Sequence, residues 1–142
     1  MNLFIKESGL ICLIALFLSL LTWSFHPGAP SYHKVELEDG EILLTTALQS
    51  TDPVIWVDAR SKENFELDHI PGAILLNEDD WEYLLADFME KWNPDLKVIV
   101  YCDSRLCSAS KNVAQRLQDE LQLNNIYTLH GGWETWTIEQ KR

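Results

Sequence analysis

Apolar positions divide the chain into a long uncharged run near the amino terminus and a domain in which short apolar runs alternate with amphipathic stretches. Four short runs have the pattern of strands that are buried on both faces: Val54–Val57, Ala73–Leu76, Val98–Tyr101 and Ile126–Leu129. A short edge strand is predicted at Val35–Leu37, with a turn at Asp39–Gly40. Ile42–Gln49 is ambiguous and is interpreted as a first strand that runs into a short helix.

Helical stretches follow these strands. Ser61 is a suitable N-cap for a short helix, and Asp79 or Asp80 for a longer one. The longer helix carries apolar residues at helical spacing: Trp81, Leu84, Leu85, Phe88 and Trp92. A third helix is predicted to begin near Ser108, and a fourth follows Gly131–Gly132. This alternation predicts an α/β fold with a mostly parallel sheet, helices on both faces and right-handed crossovers.

The uncharged run at residues 9–25, extended slightly on either side, is long enough to span a hydrocarbon core of about 30 Å. We interpret it as a transmembrane anchor, with a cleaved signal peptide as the alternative, because the residues after it are too bulky for a small-x-small cleavage site. Lys6 precedes the run and acidic residues follow it, so the positive-inside rule places the domain on the extracytoplasmic side, the periplasm in a bacterium. The predicted organisation is a tail at 1–8, the anchor at 9–25, a Pro/Gly linker at 26–34 and a domain at 35–142.

Composition argues against several classes of function. The formal net charge is -11 and is spread along the chain, so nucleic acid should be repelled. Three cysteines (Cys12, Cys102 and Cys107) are too few for a disulfide scaffold, and their spacing with the four histidines does not resemble a zinc site. We therefore expect no metal, no organic cofactor and no nucleic-acid partner.

Cys102 is the candidate nucleophile. It lies between the strand Val98–Tyr101 and the helix that begins near Ser108, and ligands of parallel sheets bind beyond the carboxyl ends of the strands. Backbone N–H groups and a helix dipole at such a place favour an anion, which lowers the pKa of a thiol and makes it a better nucleophile. The alternative is an unreactive buried cysteine at a strand end.

Four segments resemble, in the same order, motifs of the single-domain rhodanese family of sulfurtransferases. Val57–Arg60 resembles D-V-R, Asp68–Ala73 resembles G-H-I-P-G-A, Val98–Cys102 matches the strand that leads to the nucleophile, and Leu129–Trp133 resembles L-x-G-G-W. The resemblance covers about residues 54–136 and implies a rhodanese-like three-layer α/β fold. It also implies that Cys102 takes sulfane sulfur from a small donor or a persulfide and passes it to a thiol or cyanide.

The resemblance implies an active-site loop whose backbone N–H groups hold anionic sulfur: Asp103, Ser104, Arg105, Leu106, Cys107 and Ser108. Many rhodaneses read C-x-x-G-x-R-S here, whereas this chain has Arg105 at the usual glycine position and Cys107 at the usual arginine position. Arg105 is interpreted either as a displaced cation that faces the donor or as a solvated surface residue. Asp58 and Arg60 are expected to support neighbouring loops through hydrogen bonds and an ion pair.

Other residues near the motifs receive structural interpretations. His69, within His-Ile-Pro-Gly, is interpreted as a residue that stabilises the turn. His130 is a second candidate for lining the pocket. Trp133 and Trp136 fit the core-facing stripe of the last helix.

Cys107 leads to a second hypothesis. Its sulfur lies five positions beyond Cys102 on a loop that curls around one centre, so it can approach the nucleophile and resolve a persulfide or sulfenic acid as an intramolecular disulfide. The alternative is a small apolar residue that packs at the start of the helix.

Three functions remain open from the sequence: a membrane-tethered sulfurtransferase, a thiol–disulfide or sulfur-relay protein that acts on a partner protein, and a non-catalytic rhodanese-like binding module. A phosphatase with a Cys-x5-Arg loop would need arginine where the chain has Ser108. The sulfurtransferase is preferred because Cys102 is present.

Overall fold

The computed structural model describes residues 12–22 and 35–141, and the chain divides into two compact units, Met1–Glu36 and Leu37–Arg142. In the first unit, residues 12–22 are helical and are called α1. Within the described residues, no helix is long and apolar enough to cross a membrane. The predicted anchor at 9–25 extends beyond the described residues at both ends, and the predicted tail and linker, 1–8 and 26–34, lie outside them.

The second unit alternates strands and helices. Its strands are β1 (Glu41–Ile42), β2 (Val54–Asp58), β3 (Ile74–Leu75), β4 (Lys97–Tyr101) and β5 (Ile126–Leu129). Its helices are α2 (Leu44–Gln49), α3 (Lys62–Leu67), α4 (Trp81–Lys91), α5 (Ala109–Leu121) and α6 (Gly132–Gln140). The strands form one sheet in the order β1-β5-β4-β2-β3, and every neighbouring pair is parallel. The predicted α/β fold with a mostly parallel sheet is confirmed.

Strand β4 lies at the centre of this sheet, between β2 and β5. Its side chains alternate between two cores, as expected for a strand covered on both faces. Val98 and Val100 pack with residues of α4 and α5, whereas Ile99 and Tyr101 pack with residues of α2 and α6. The sheet is therefore the middle of three layers, and the chain leaves β4 at the middle of the sheet's carboxyl edge.

The first strand differs from the prediction. Val35–Leu37 is not a strand, and β1 begins only after the turn at Asp39–Gly40. The reason lies in the partners that β5 offers. Thr128 of β5 donates to the carbonyl of Gly40, the last residue of the turn, at 2.9 Å, and His130, just after β5, donates to the Ile42 carbonyl at 3.0 Å. An alternation of apolar residues before the turn does not reveal where those partners lie.

Helix starts agree with the capping pattern in part. The Ser61 hydroxyl accepts a hydrogen bond from the Asn64 backbone N–H at 3.3 Å at the start of α3, as predicted. Asp80 occupies the N-cap position of α4, but its side chain makes no capping hydrogen bond. There the Asn77 side chain accepts from the Asp80 backbone N–H at 3.2 Å instead.

Candidate active site

Cys102 is the first residue after β4 and is only 2% exposed. The start of α6 holds the main chain at Cys102 and at the next residue. The Trp133 N–H donates to the Cys102 carbonyl at 2.7 Å, and the Glu134 N–H donates to the Asp103 carbonyl at 3.0 Å. The first N–H groups of a helix have no partner inside it, so these bonds satisfy α6 while they fix the position of the nucleophile.

Gly132 allows this close approach. It has a φ of +55°, and a Cβ there would overlap the Cys102 carbonyl oxygen and lie 3.1 Å from the carbonyl carbon. The left-handed conformation and the lack of space each favour glycine. The sequence shows the Gly131–Gly132 pair, but only the folded structure shows that Gly132 lies against the Cys102 carbonyl.

Gly132→Ala is expected to lower the free energy of unfolding by about 2–4 kcal/mol, because it adds a steric clash with backbone to an unfavourable φ. Gly72→Ala is the matched control, since Gly72 has a φ of +81° and a Cβ added there would meet no atom within 4 Å. Gly72→Ala should lower the free energy of unfolding by only about 1–2 kcal/mol. Urea unfolding of both variants measures the difference, and equal losses would contradict the clash.

The loop after Cys102 is a short turn between β4 and α5. The Cys107 N–H donates to the Ser104 carbonyl at 3.2 Å, which closes the turn. Ser104 and Cys107 are partly exposed, and the rest of the loop is exposed: Asp103, Arg105, Leu106 and Ser108. Ser108 occupies the N-cap position of α5 without a side-chain capping bond. The residues of the predicted active-site loop are thus contiguous, and most of them are exposed.

Cys102 and Cys107 form a disulfide, with their Cα atoms 6.2 Å apart. This separation lies within the usual range for disulfides. In this oxidised form neither residue carries a free thiol. Cys102 must therefore be reduced before it can act as a nucleophile.

A buried ion pair lies beside the loop. The Arg60 guanidinium donates to both carboxylate oxygens of Asp58 at 2.8 to 3.1 Å, and to the Asp68 carbonyl at 2.7 Å. The side chains of Arg60 and Asp58 are 4% and 0% exposed. Burial lowers the pKa of Arg60, but the Asp58 carboxylate outweighs burial, and the net pKa is raised. The guanidinium therefore remains charged at every accessible pH.

Arg60 also contacts the two segments that flank the nucleophile. Its guanidinium carbon lies 4.5 Å from the centroid of the Trp133 ring, and its Nη1 lies 3.8 Å from the carboxylate of Asp103. The sequence pattern places Trp133 in the core, and the structure adds this cation–π contact. Sequence reasoning missed it, because no local pattern joins a residue after β2 to one in α6.

Tyr101 completes the packing around Arg60. Its ring lies 5.7 Å from the guanidinium carbon, and its hydroxyl accepts a hydrogen bond from the Ile70 N–H at 3.1 Å. Burial raises the pKa of Tyr101, and the neighbouring Asp58 carboxylate raises it further. The phenol therefore stays neutral, and it connects the last residue of β4 to the turn before β3.

The family profile of the rhodanese-like domain matches residues 43–139, more than half of the chain. The chain belongs to the rhodanese-like family. The thiosulfate sulfurtransferase GlpE of Coxiella burnetii is 31% identical over 83 residues, which are 58% of this chain and 71% of that protein. The GlpE protein of Shewanella oneidensis is 32% identical over 80 residues, 56% of this chain and 72% of that protein.

Solved structures support the rhodanese-like fold. The BH2092 protein from Bacillus halodurans superposes with a TM-score of 0.58 at 23% identity, covering 70% of this chain and 72% of that one. A rhodanese-related protein from Thermoplasma volcanium superposes with a TM-score of 0.54 at 20% identity, covering 70% of this chain and 91% of that one. At this level of identity the similarity concerns the fold alone.

Two histidines of the rhodanese-like domain have partners of their own. His69 Nδ1 lies 2.9 Å from the Phe65 carbonyl and its ring stacks on Phe65, which fits a residue that stabilises the turn. His130 Nδ1 lies 3.0 Å from Oε2 of Glu41 on β1. Within residues 12–22 and 35–141, no group of three or more histidine, cysteine or acidic side chains could hold a metal ion.

Glu41 is the partner that sequence reasoning missed. Its side chain is 7% exposed, and the oxygen that faces His130 also accepts the Glu38 N–H at 3.0 Å. Burial raises the pKa of Glu41, but the hydrogen bonds from Glu38 and His130 outweigh it, and the net pKa is lowered. The pair ties the end of β5 to β1, next to the Gly131–Gly132 segment that contacts Cys102.

Proposed function

We propose that this rhodanese-like protein is a sulfurtransferase whose nucleophile is Cys102. The observation that carries the proposal is the position of Cys102 at the carboxyl end of the central strand, with its carbonyl fixed by α6 and an exposed loop after it. Curated relatives that align with more than half of the chain are named thiosulfate sulfurtransferases, which supports the same chemistry here.

The proposed reaction has two displacement steps. In the reduced protein, the Cys102 thiolate attacks the sulfane sulfur of the donor, the sulfur–sulfur bond of the donor breaks, and sulfite leaves with the electron pair when the donor is thiosulfate. Cys102 then carries a persulfide. An acceptor thiolate or cyanide attacks the terminal sulfur, and the Cys102 thiolate is regenerated. These displacements call for no metal or organic cofactor.

We further propose that Arg105 attracts the anionic donor. Its side chain is exposed, and it makes no hydrogen bond or ion pair within the described part of the chain. Lys111, another cation near the loop, is engaged by Glu38 at 2.6 Å, and the Arg60 guanidinium is held by Asp58. A free guanidinium in the loop suits the oxygens of thiosulfate, although Cys107 takes the position that many rhodaneses give to arginine.

The Cys102–Cys107 disulfide favours a second candidate function, a thiol–disulfide or sulfur relay. The Cys107 thiolate would attack Sγ of a Cys102 persulfide, the bond to the sulfane sulfur would break, and hydrosulfide would leave. The product is the observed disulfide. Two thiols of a partner protein would then have to reduce it, forming a disulfide of their own, before the next cycle.

We also propose that the protein is anchored in a membrane by residues 9–25, with the rhodanese-like domain on the extracytoplasmic side. The absence of charge in this run and the acidic residues after it support the proposal. The described part of the run, residues 12–22, is helical. An oxidising compartment would also favour persistence of the disulfide.

The test is to locate the transferred sulfur. The reduced full chain, in mild detergent, is exposed to thiosulfate, and its intact mass is measured before and after cyanide is added. The expected result is a gain of one sulfur atom that maps to Cys102 and is lost to cyanide as thiocyanate. If the folded, reduced protein gains no sulfur and keeps both thiols, it is a binding module, whereas a loss of two hydrogens through the Cys102–Cys107 disulfide indicates the relay. If the sulfur maps to Cys107, Cys102 is not the nucleophile.

A further inference from the structure

The disulfide of the active-site loop joins two cysteines that differ in accessibility. Cys102 is 2% exposed, whereas Cys107 is partly exposed. The residue before Cys107, Leu106, is 96% exposed, and Arg105 is exposed as well. Solvent therefore reaches the bond from the side of Cys107. In thiol–disulfide exchange, access is one of the factors that decide which of the two sulfurs an incoming thiolate attacks.

We propose that a reductant opens this disulfide at Cys107 and that Cys102 is the leaving group. The thiolate of the reductant forms a bond with Sγ of Cys107, and the bond between the two cysteines breaks. Its electron pair remains on Cys102 as a thiolate. Cys107 is then the site of a mixed disulfide, while the buried Cys102 is released directly in its nucleophilic form.

The geometry also assigns the class of reductant, which is a dithiol. After the first step the Cys102 thiolate remains on the same short loop, and the Cα atoms of the two cysteines are 6.2 Å apart in the disulfide. Its high effective concentration favours attack back on Cys107, which expels a monothiol and restores the disulfide. The second thiol of a dithiol acts intramolecularly too. It attacks its own mixed disulfide and releases Cys107 as a thiolate.

The electron balance of this sequence is complete. The dithiol loses two electrons and becomes a disulfide, and Cys102 and Cys107 gain two electrons and become thiols. The disulfide would thus control activity, because Cys102 could form a persulfide only after a dithiol had reduced the bond at Cys107. That consequence rests on the proposed sulfurtransferase function, whereas the order of attack does not.

The sequence itself makes the order of attack measurable. Trypsin cleaves after Lys97, Arg105 and Lys111, so the peptide 98–105 carries Cys102 and the peptide 106–111 carries Cys107. The oxidised full chain, with Cys12→Ala to remove the third thiol, is treated with excess glutathione. It is then alkylated with N-ethylmaleimide at mildly acidic pH, which blocks free thiols while exchange is slow, and digested.

We expect glutathione on peptide 106–111 and the alkyl group on peptide 98–105, in at least about tenfold excess over the reverse arrangement. Glutathione on peptide 98–105 in an equal or greater amount would overturn the proposal. Failure of the chain to form the disulfide under mild oxidation would overturn it as well.

A second arm tests the class of reductant. At equal thiol concentration, dithiothreitol should produce the doubly alkylated chain at least about tenfold faster than glutathione, because only the dithiol competes with the return attack by Cys102. Equal rates would exclude a dithiol requirement. Neither arm uses a sulfur donor. A reduced protein that accepts no sulfur would therefore refute the proposed function and leave the exchange result standing, and a wrong order of attack would leave persulfide formation untouched.

Discussion

Cys102→Ser is expected to lower the rate of thiocyanate formation from thiosulfate and cyanide by a factor on the order of 10³ or more. A serine hydroxyl is not ionised at neutral pH and cannot carry sulfane sulfur as a persulfide, so both displacement steps lose their nucleophile. Steady-state assays of the reduced full chain measure the change. Unfolding curves of the variant and of the reduced wild type, measured in parallel, show whether the variant is folded under the assay conditions.

Cys107→Ser is the matched control, because it makes the same chemical change on the same loop. If the protein is a sulfurtransferase, this variant should retain turnover within a few-fold of the reduced wild type. It should also stay active without a reductant, because no Cys102–Cys107 disulfide can form. Equal loss in both variants would instead mean that sulfur transfer to cyanide also requires the Cys107 thiol. Full activity in Cys102→Ser would contradict the assignment of the nucleophile.

Arg60→Ala is expected to lower the free energy of unfolding by about 3–5 kcal/mol. The change leaves the fully buried Asp58 carboxylate without its partner, and it removes the hydrogen bond to the Asp68 carbonyl. It also removes the group that packs on Trp133 and approaches Asp103, so the loop around Cys102 loses support. Urea unfolding measures the loss. Turnover should fall as well, because α6 holds the Cys102 carbonyl through Trp133.

Arg116→Ala is the control, because Arg116 makes the same kinds of contact as Arg60 but lies at the surface. Arg116 lies 4.3 Å from the Trp81 ring centroid and pairs with Glu120 at 2.6 Å, but its side chain is much more exposed than that of Arg60. Exposed ion pairs contribute little to stability, so Arg116→Ala should lower the free energy of unfolding much less than Arg60→Ala does.

The double change Asp58→Asn with Arg60→Met should recover part of the stability that Arg60→Ala loses, since it removes the unpaired buried charge. Equal losses in Arg60→Ala and Arg116→Ala would contradict the role of burial.

Local patterns were enough to predict most of the elements. Short β-branched runs marked β2, β4 and β5, and the spacing of Trp81, Leu84 and Phe88 marked α4, because burial on the faces of a strand or helix sets a period that a few residues reveal. Strands that alternate with helices then indicated a parallel sheet. The edge strand predicted at Val35–Leu37 was wrong, since the strand that pairs with β5 is identified by distant partners rather than by its own pattern.

The sequence by itself determined the α/β class, the family motifs and the place of Cys102 just after a buried strand. Only the tertiary structure decided that β4 is central, that Gly132 touches the Cys102 carbonyl, that Arg60 packs on Trp133 and that Glu41 faces His130. The reason is physical. Turn chemistry and apolar periodicity act between neighbours along the chain, whereas these contacts join segments that become neighbours only when the sheet and its helices have packed together.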